Sequence, residues 1–95
     1  MLINKGFSAN DIVSLKLING DELIARFEEE SADTITIYKP LAVTLGPQGL
    51  GMIPWMFLGD RDKYGLQRSH VFAVVPSKPD AASQYIQGTT GIAIV

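Results

Sequence analysis

The chain has 95 residues, of which 46% are hydrophobic and 19% charged, with a formal net charge of -2 at pH 7 and no cysteine. This composition predicts one compact domain over residues 1–95 and excludes an intrinsically disordered chain. Without cysteine, disulfides and thiolate metal sites are excluded. The negative charge argues against strong nonspecific binding to nucleic acid, which depends on Lys and Arg.

Charge and hydropathy vary along the chain. Residues 21–33 hold six acids and one Arg, whereas residues 34–79 hold five basic residues and two acids, so one region repels phosphate and another can approach it. No apolar run suits a signal peptide, and the most apolar stretch, 49–58, contains Pro54 and is too short to span a bilayer. We therefore expect a soluble cytoplasmic protein without membrane contact.

The first two predicted strands form a hairpin. Residues 12–17 alternate, with Val13, Leu15 and Leu17 on one face, as in a half-buried strand. Asn19 and Gly20 follow, and both tolerate the positive φ of a tight turn. The chain then returns with a second alternating run, in which the inward residues are Leu23, Ala25 and Phe27.

Three further strands are predicted. The third begins at Thr34 and extends to Leu45, with Pro40 marking a bend or an edge position. After a turn at 46–49, the fourth and fifth strands cover 52–58 and 71–75, separated by a charged loop over 59–65. Both are apolar on both faces, so a second layer must cover one face, and another copy of the chain is the economical solution.

The C-terminal region predicts a short helix. Ser77 suits the N-cap and Pro79 the first turn, with the helix ending near Gln87 and Gly88 as its stop. The tail at 92–95 suits an extra edge strand. No repeat or linker divides the chain, so it is read as one unit.

Two stretches, 12–38 and 66–79, resemble the Sm-like family and especially its bacterial Hfq branch. They contain the motifs Val-Ser-Leu-Lys-Leu-Ile-Asn-Gly-Asp-Glu-Leu at 13–23 and Val-Val-Pro-Ser-Lys-Pro at 74–79. The resemblance implies an all-β fold, a strongly bent five-stranded antiparallel open barrel, with core strands over about 12–75 and a C-terminal extension over 76–95. It also implies a homo-oligomeric ring of five to seven subunits, closed by pairing strand four of one subunit with strand five of the next.

The resemblance further implies a site for single-stranded RNA. Relatives hold a nucleobase between a polar loop after strand two and a basic turn before strand five, which here gives Gln67, Arg68, Ser69, His70, Ser31 and Asp33. Ser31 stands where relatives usually have Asp, and no Asn occurs after Gly20, so the base-binding set is only partly kept. An ordinary polar turn is the alternative interpretation of residues 67–70.

Several side chains carry two interpretations. Trp55, Phe57 and Phe72 suit base stacking, although their apolar neighbours favour a core or subunit-interface role, and Ile53 and Val74 are predicted interface residues with them. The acids at 28–30 with Asp33 lack the spacing of a calcium loop, so a solvated hairpin end is favoured over a metal site. The mixed-charge loop at 60–64 is read as solvated, with docking to a partner as the lesser option.

Catalysis is not expected. His70 is the only histidine, and its neighbour Ser69 would point to the opposite face of a strand, so the two do not form a nucleophile and base. No cofactor or metal motif is present. Two hypotheses remain, an Sm-like ring that binds single-stranded RNA near the turn before strand five, and a structural ring that binds another protein instead. Ring size, RNA preference and partner are left open.

Overall fold

Six antiparallel strands form one unclosed sheet in the computed structural model, which describes residues 6–90. β6 pairs with β1, β1 with β2 and β2 with β3, while β4 and β5 lie end to end along the far side of β3. One helix, α1, follows the sheet. The elements are β1 Ile12–Leu17, β2 Glu22–Glu30, β3 Thr34–Gly46, β4 Gly49–Pro54, β5 Lys63–Gln67, β6 Val71–Pro76 and α1 Pro79–Thr90. The mostly-β prediction with a C-terminal helix is confirmed at this level.

The β1–β2 hairpin has the predicted strands and inward faces. The Leu17 N–H donates to the Asp21 carbonyl and the Gly20 N–H to the Leu17 carbonyl, both at 2.9 Å, which closes a three-residue loop. Only Gly20 takes a positive φ, of 98°. Asn19 acts differently, because its Oδ1 accepts the Asp21 N–H at 3.0 Å. Glycine therefore supplies the left-handed residue of this loop and asparagine supplies a side-chain acceptor.

The third strand bends at Lys39 and Pro40. Ile24 pairs with Leu41 and Arg26 with Tyr38, so β3 has one residue more than β2 in this interval, which is a β-bulge. Lys39 has a φ of 48°, and Pro40 is buried. Strands lie on both sides of β3, so Pro40 marks the predicted bend and not an edge position.

The predicted fourth strand is wrong in its bounds. The observed strand β4 begins at Gly49, inside the predicted turn, and ends at Pro54. The rest of the predicted strand, residues 55–58, lies in a loop over 55–62. Proline has no N–H with which to extend the ladder. The second half of the predicted charged loop is instead β5, which pairs with β3 on the other side of its bend. The described sheet therefore has six strands and not five.

The helix also differs from its prediction at both ends. Its first bond runs from the Ala82 N–H to the Lys78 carbonyl, so Lys78 is the N-cap. The Ser77 N–H donates to the Ile12 carbonyl, and its hydroxyl lies 2.8 Å from that of Ser14. The helix continues through Gly88 to Thr90. The predicted strand at 92–95 lies outside the described residues.

Apolar side chains are buried on both faces of the sheet. The concave face carries the core cluster Val13, Leu15, Leu17, Leu23, Ala25, Phe27, Ile35 and Ile37. On the opposite face Ile24 is 1% exposed, and the helix places the fully buried Tyr85 there beside Arg26. Burial of Ile24 was not predicted, because alternation assigns it to the solvent face. No helix within residues 6–90 is long and apolar enough to cross a bilayer.

Candidate functional site

The β5–β6 turn lies beside the β2–β3 loop. Gln67 ends β5, and residues 68–70 form a short 3-10 helix. The Arg68 N–H donates to the Asp33 carbonyl at 2.8 Å, and Gln67 is the register partner of Thr34. The structure thus brings the two predicted RNA-binding segments together, although they are more than thirty residues apart in the chain.

Arg68 is paired with an acid of its own subunit. Its guanidinium Nη1 lies 3.0 Å from Glu30 Oε1, and the two side chains are 43% and 37% exposed. An exposed pair of this kind contributes about 0–1 kcal/mol, so the guanidinium can exchange partners at little cost. The Ser31 hydroxyl accepts the Thr34 N–H at 3.2 Å and so helps to close the β2–β3 loop.

Gln67 and His70 line a cleft separate from the Arg68–Glu30 pair. The cleft has a volume of about 390 Å³ and lies between the β1–β2 turn and β5. The His70 carbonyl accepts the Ile18 N–H at 3.0 Å, which fixes the 3-10 helix to the β1–β2 turn. The lining residues are Leu17, Ile18, Asn19, Trp55, Gly65, Leu66, Gln67 and His70. The predicted set is therefore divided, with Arg68, Ser31 and Asp33 outside the cleft.

Sequence reasoning did not place Asn19 at this site. The residue sits in a hairpin turn, where asparagine is common for conformational reasons alone. Its approach to β5 depends on contacts between segments about fifty residues apart, for which the local pattern holds no signal. Ser69 is exposed on the 3-10 helix and is not among the residues that line the cleft.

The five predicted interface residues fall into two groups. Phe72, Phe57 and Ile53 are exposed, by 79%, 70% and 41%. Trp55 and Val74 are half-buried and pack against the core cluster. Phe72 is the extra residue of a bulge in β6, because Lys16 pairs with Ala73 and Leu17 with Val71. The bulge turns Val71 toward the core and leaves the Phe72 ring in solvent.

Two acidic residues of β2 form ion pairs with basic side chains of β5 and the turn. Glu28 Oε2 lies 3.6 Å from Lys63 Nζ, and Glu30 pairs with Arg68. Within residues 6–90, no group of three or more acidic or histidine side chains converges on a point where it could hold a metal ion.

Comparison with known proteins leaves the family open. No protein-family model matches this sequence, and no curated protein is significantly similar to it. The Sm-like resemblance therefore remains a hypothesis drawn from two short stretches of the chain. The strand order, the free sheet edges and the geometry of the β5–β6 turn are the observations that bear on it.

Proposed function

We propose that this chain is an Sm-like subunit that assembles into a homo-oligomeric ring and binds single-stranded RNA beside its β5–β6 turns. The strand order supports the fold assignment, since the last strand lies beside the first and β3 is bent. In this proposal β4 and β5 together take the place of the family's fourth strand, and β6 takes that of its fifth.

The observation that carries the proposal is the apolar surface at both free edges of the sheet. β6 exposes Phe72 and Val75, by 79% and 52%, and β4 exposes Leu50 and Ile53, by 71% and 41%. Within the described residues no further strand covers either edge. Exposed apolar edges aggregate unless they are paired, and pairing one edge with the other edge of the next copy closes a ring without leaving a free end.

The RNA half of the proposal depends on the turn. Arg68 and His70 are exposed there and offer donors and planar groups to an unpaired base. A single turn of this size gives a weak site, but a ring presents one copy per subunit to the same strand, which raises the overall affinity. The acidic net charge confines binding to such local sites.

Native mass measurement tests the ring. At micromolar concentration we expect a multiple of the 10.3 kDa subunit, in the range of five to seven copies. Phe72→Asp should shift the assembly to smaller species, because a charge on the β6 edge opposes its burial. Ile86→Asp is the matched control, since Ile86 is 41% exposed and lies on α1 instead of on an edge strand. A strict monomer in the unmodified protein would remove the basis of the proposal.

Titration of labelled U-rich and A-rich RNA at low and moderate salt tests the second half. Arg68→Ala should weaken binding several-fold and flatten the salt dependence, since it removes a phosphate contact in each subunit. Arg61→Ala is the control, because Arg61 forms a comparable exposed pair with Asp60 at 3.2 Å. If no saturable binding occurs at low salt, the RNA half is wrong while the ring stands.

A second candidate function is a ring that holds another protein and binds no RNA. The Arg68–Glu30 pair favours it, because the one Arg of the turn already has an acidic partner in the same subunit. Glu30→Gln separates the two candidates. If the turn binds RNA, freeing Arg68 should raise the affinity about threefold, which corresponds to one exposed ion pair. If the ring is a protein scaffold, the variant still binds no RNA and copurifies without nucleic acid.

A further inference from the structure

A cleft of about 390 Å³ lies between the β1–β2 turn and β5 and is here called the Trp55 cleft. We infer that it takes one unpaired nucleobase, stacked on Trp55 and hydrogen-bonded by Gln67 and His70. The inference rests on the proposed function and sharpens it. It places base recognition in the Trp55 cleft, and leaves Arg68 to the phosphate backbone outside it.

The apolar part of the cleft is anchored by contacts of Trp55 with β3, Tyr64 and the core cluster. The backbone N–H of Trp55 donates to the Pro40 carbonyl at 3.2 Å. The indole ring packs edge to face against the Tyr64 ring, with the ring centroids 6.0 Å apart. Trp55 packs partly against the core cluster, so it is anchored there, and the rest of the residue borders the cleft. A fixed aromatic plane bordered by aliphatic side chains is the kind of surface on which bases stack, regardless of their identity.

The polar part of the cleft is formed by Asn19, Gln67 and His70, all of which are exposed. Both functional groups of the Asn19 amide are turned toward Asp21, with its Nδ2 3.3 Å from Asp21 Oδ2, so this side chain shapes the rim. Among residues 6–90, no hydrogen bond joins the side chain of Gln67 or His70 to another protein group. Gln67 offers an acceptor and two donors, and the His70 ring nitrogens offer further hydrogen-bonding positions, which suit the edge of a base.

Size and charge fit the same occupant. A volume of about 390 Å³ admits a base with its sugar and leaves the phosphate at the mouth. No charged residue lines the cleft, so a neutral base enters it more readily than an ion does. Arg68 follows Gln67 directly in the 3-10 helix and lies outside the lining, where it can meet the adjoining phosphate by exchanging its exposed partner Glu30.

Trp55 is the only tryptophan, so its fluorescence reports on the cleft directly. The unmodified protein is titrated with hexauridylate and hexaadenylate, and binding is followed in parallel by the anisotropy of the same labelled RNA. We expect saturable quenching of Trp55 with the same midpoint as the anisotropy. Gln67→Ala and His70→Ala should each weaken binding about fivefold or more, as expected for an unpaired base edge. Gln84→Ala, an exposed Gln on α1, should have no effect.

The outcomes separate this inference from the proposed function. If anisotropy shows binding that depends on Arg68 but Trp55 fluorescence and the Gln67 and His70 variants are unchanged, the cleft inference is wrong and the RNA function stands. Fluorescence that changes with ring dissociation but not with RNA shows that a neighbouring subunit fills the cleft, which also overturns it. If anisotropy detects no binding at low salt, the cleft inference and the RNA half of the proposed function are both wrong. Circular dichroism of each variant verifies that a loss of binding is not a loss of fold.

Discussion

Tyr85 attaches the C-terminal helix to the sheet and permits a quantitative test of the fold. Its side chain is fully buried, and its hydroxyl lies 3.0 Å from the Tyr38 carbonyl and 2.9 Å from the Lys39 carbonyl, at the bend of β3. Tyr85→Phe keeps the aromatic ring but removes the hydroxyl, so the Tyr38 and Lys39 carbonyls lose the hydrogen bond that they accept from Tyr85. We expect a loss of about 1–2 kcal/mol in the free energy of unfolding. Tyr85→Ala should lose about 3–5 kcal/mol, because it also empties the site.

The same hydroxyl predicts how stability depends on pH. Burial raises the pKa of Tyr85 from 10.0 to about 12, although the nearby positive charge of Arg26 opposes the shift. The unfolded chain therefore releases the proton first, so the contribution is fully present below pH 10 and is lost as the pH rises toward 12. Each pH unit in this window removes about 1.4 kcal/mol from the unfolding free energy. The loss across the window is about 2–3 kcal/mol.

Urea unfolding at fixed protein concentration, followed by Trp55 fluorescence, measures this dependence. At pH 8 the unmodified protein should be more stable than Tyr85→Phe, and the difference should shrink above pH 10 and reverse near pH 12. Tyr38→Phe serves as the control, because it keeps the Tyr85 phenol and the Tyr38 carbonyl. A difference between the unmodified protein and Tyr85→Phe that stays constant from pH 8 to 12 would refute the assignment of Tyr85 as a buried, neutral donor.

Two substitution pairs test the core and the turn by the same unfolding assay. Ile37→Ala, at a fully buried position, should lower the free energy of unfolding by about 2–5 kcal/mol, whereas Ile86→Ala, at 41% exposure, should lower it by well under half of that. Equal losses would contradict the assignment of Ile37 to the core and of Ile86 to the surface. Gly20→Ala should destabilise by about 1–2 kcal/mol because φ is 98° there, whereas Gly88→Ala, helical and with open space at its Cβ, should stabilise by about 0.5–1 kcal/mol. A neutral or stabilising effect of Gly20→Ala would mean that the positive φ at Gly20 is wrong.

The parts of the fold that follow from local pattern could be predicted. Leu15 and Leu23 alternate with polar neighbours on either side of a turn, and they are the register partners observed in β1 and β2. A hairpin needs only short-range information, because its loop length and its alternation fix the register together.

The features that were not predicted from the sequence are those in which the structure of one segment depends on contacts with a distant segment. The end of β4 at Pro54 and the start of β5 at Lys63 follow from the bend of β3, against which both strands pair. The burial of Tyr85 depends on hydrogen bonds to Tyr38 and Lys39, which lie more than forty residues earlier in the chain. The sequence likewise identifies Arg68 as the basic residue of the turn. Its ion pair with Glu30 could not be predicted from hydropathy periodicity, because the two residues are 38 positions apart in the chain.

The position of the candidate site links its two proposed properties. The 3-10 helix at 68–70 joins β5, at one edge of the sheet, to β6, at the other. If β6 of one subunit pairs with the β4–β5 edge of the next, each turn leads directly into a strand that forms such a junction. An RNA strand could then pass from site to site without leaving the ring, so loss of assembly should weaken RNA binding even where every side chain of the site is intact. Substitution of Arg68, by contrast, should leave the ring whole, since that side chain lies at neither apolar edge.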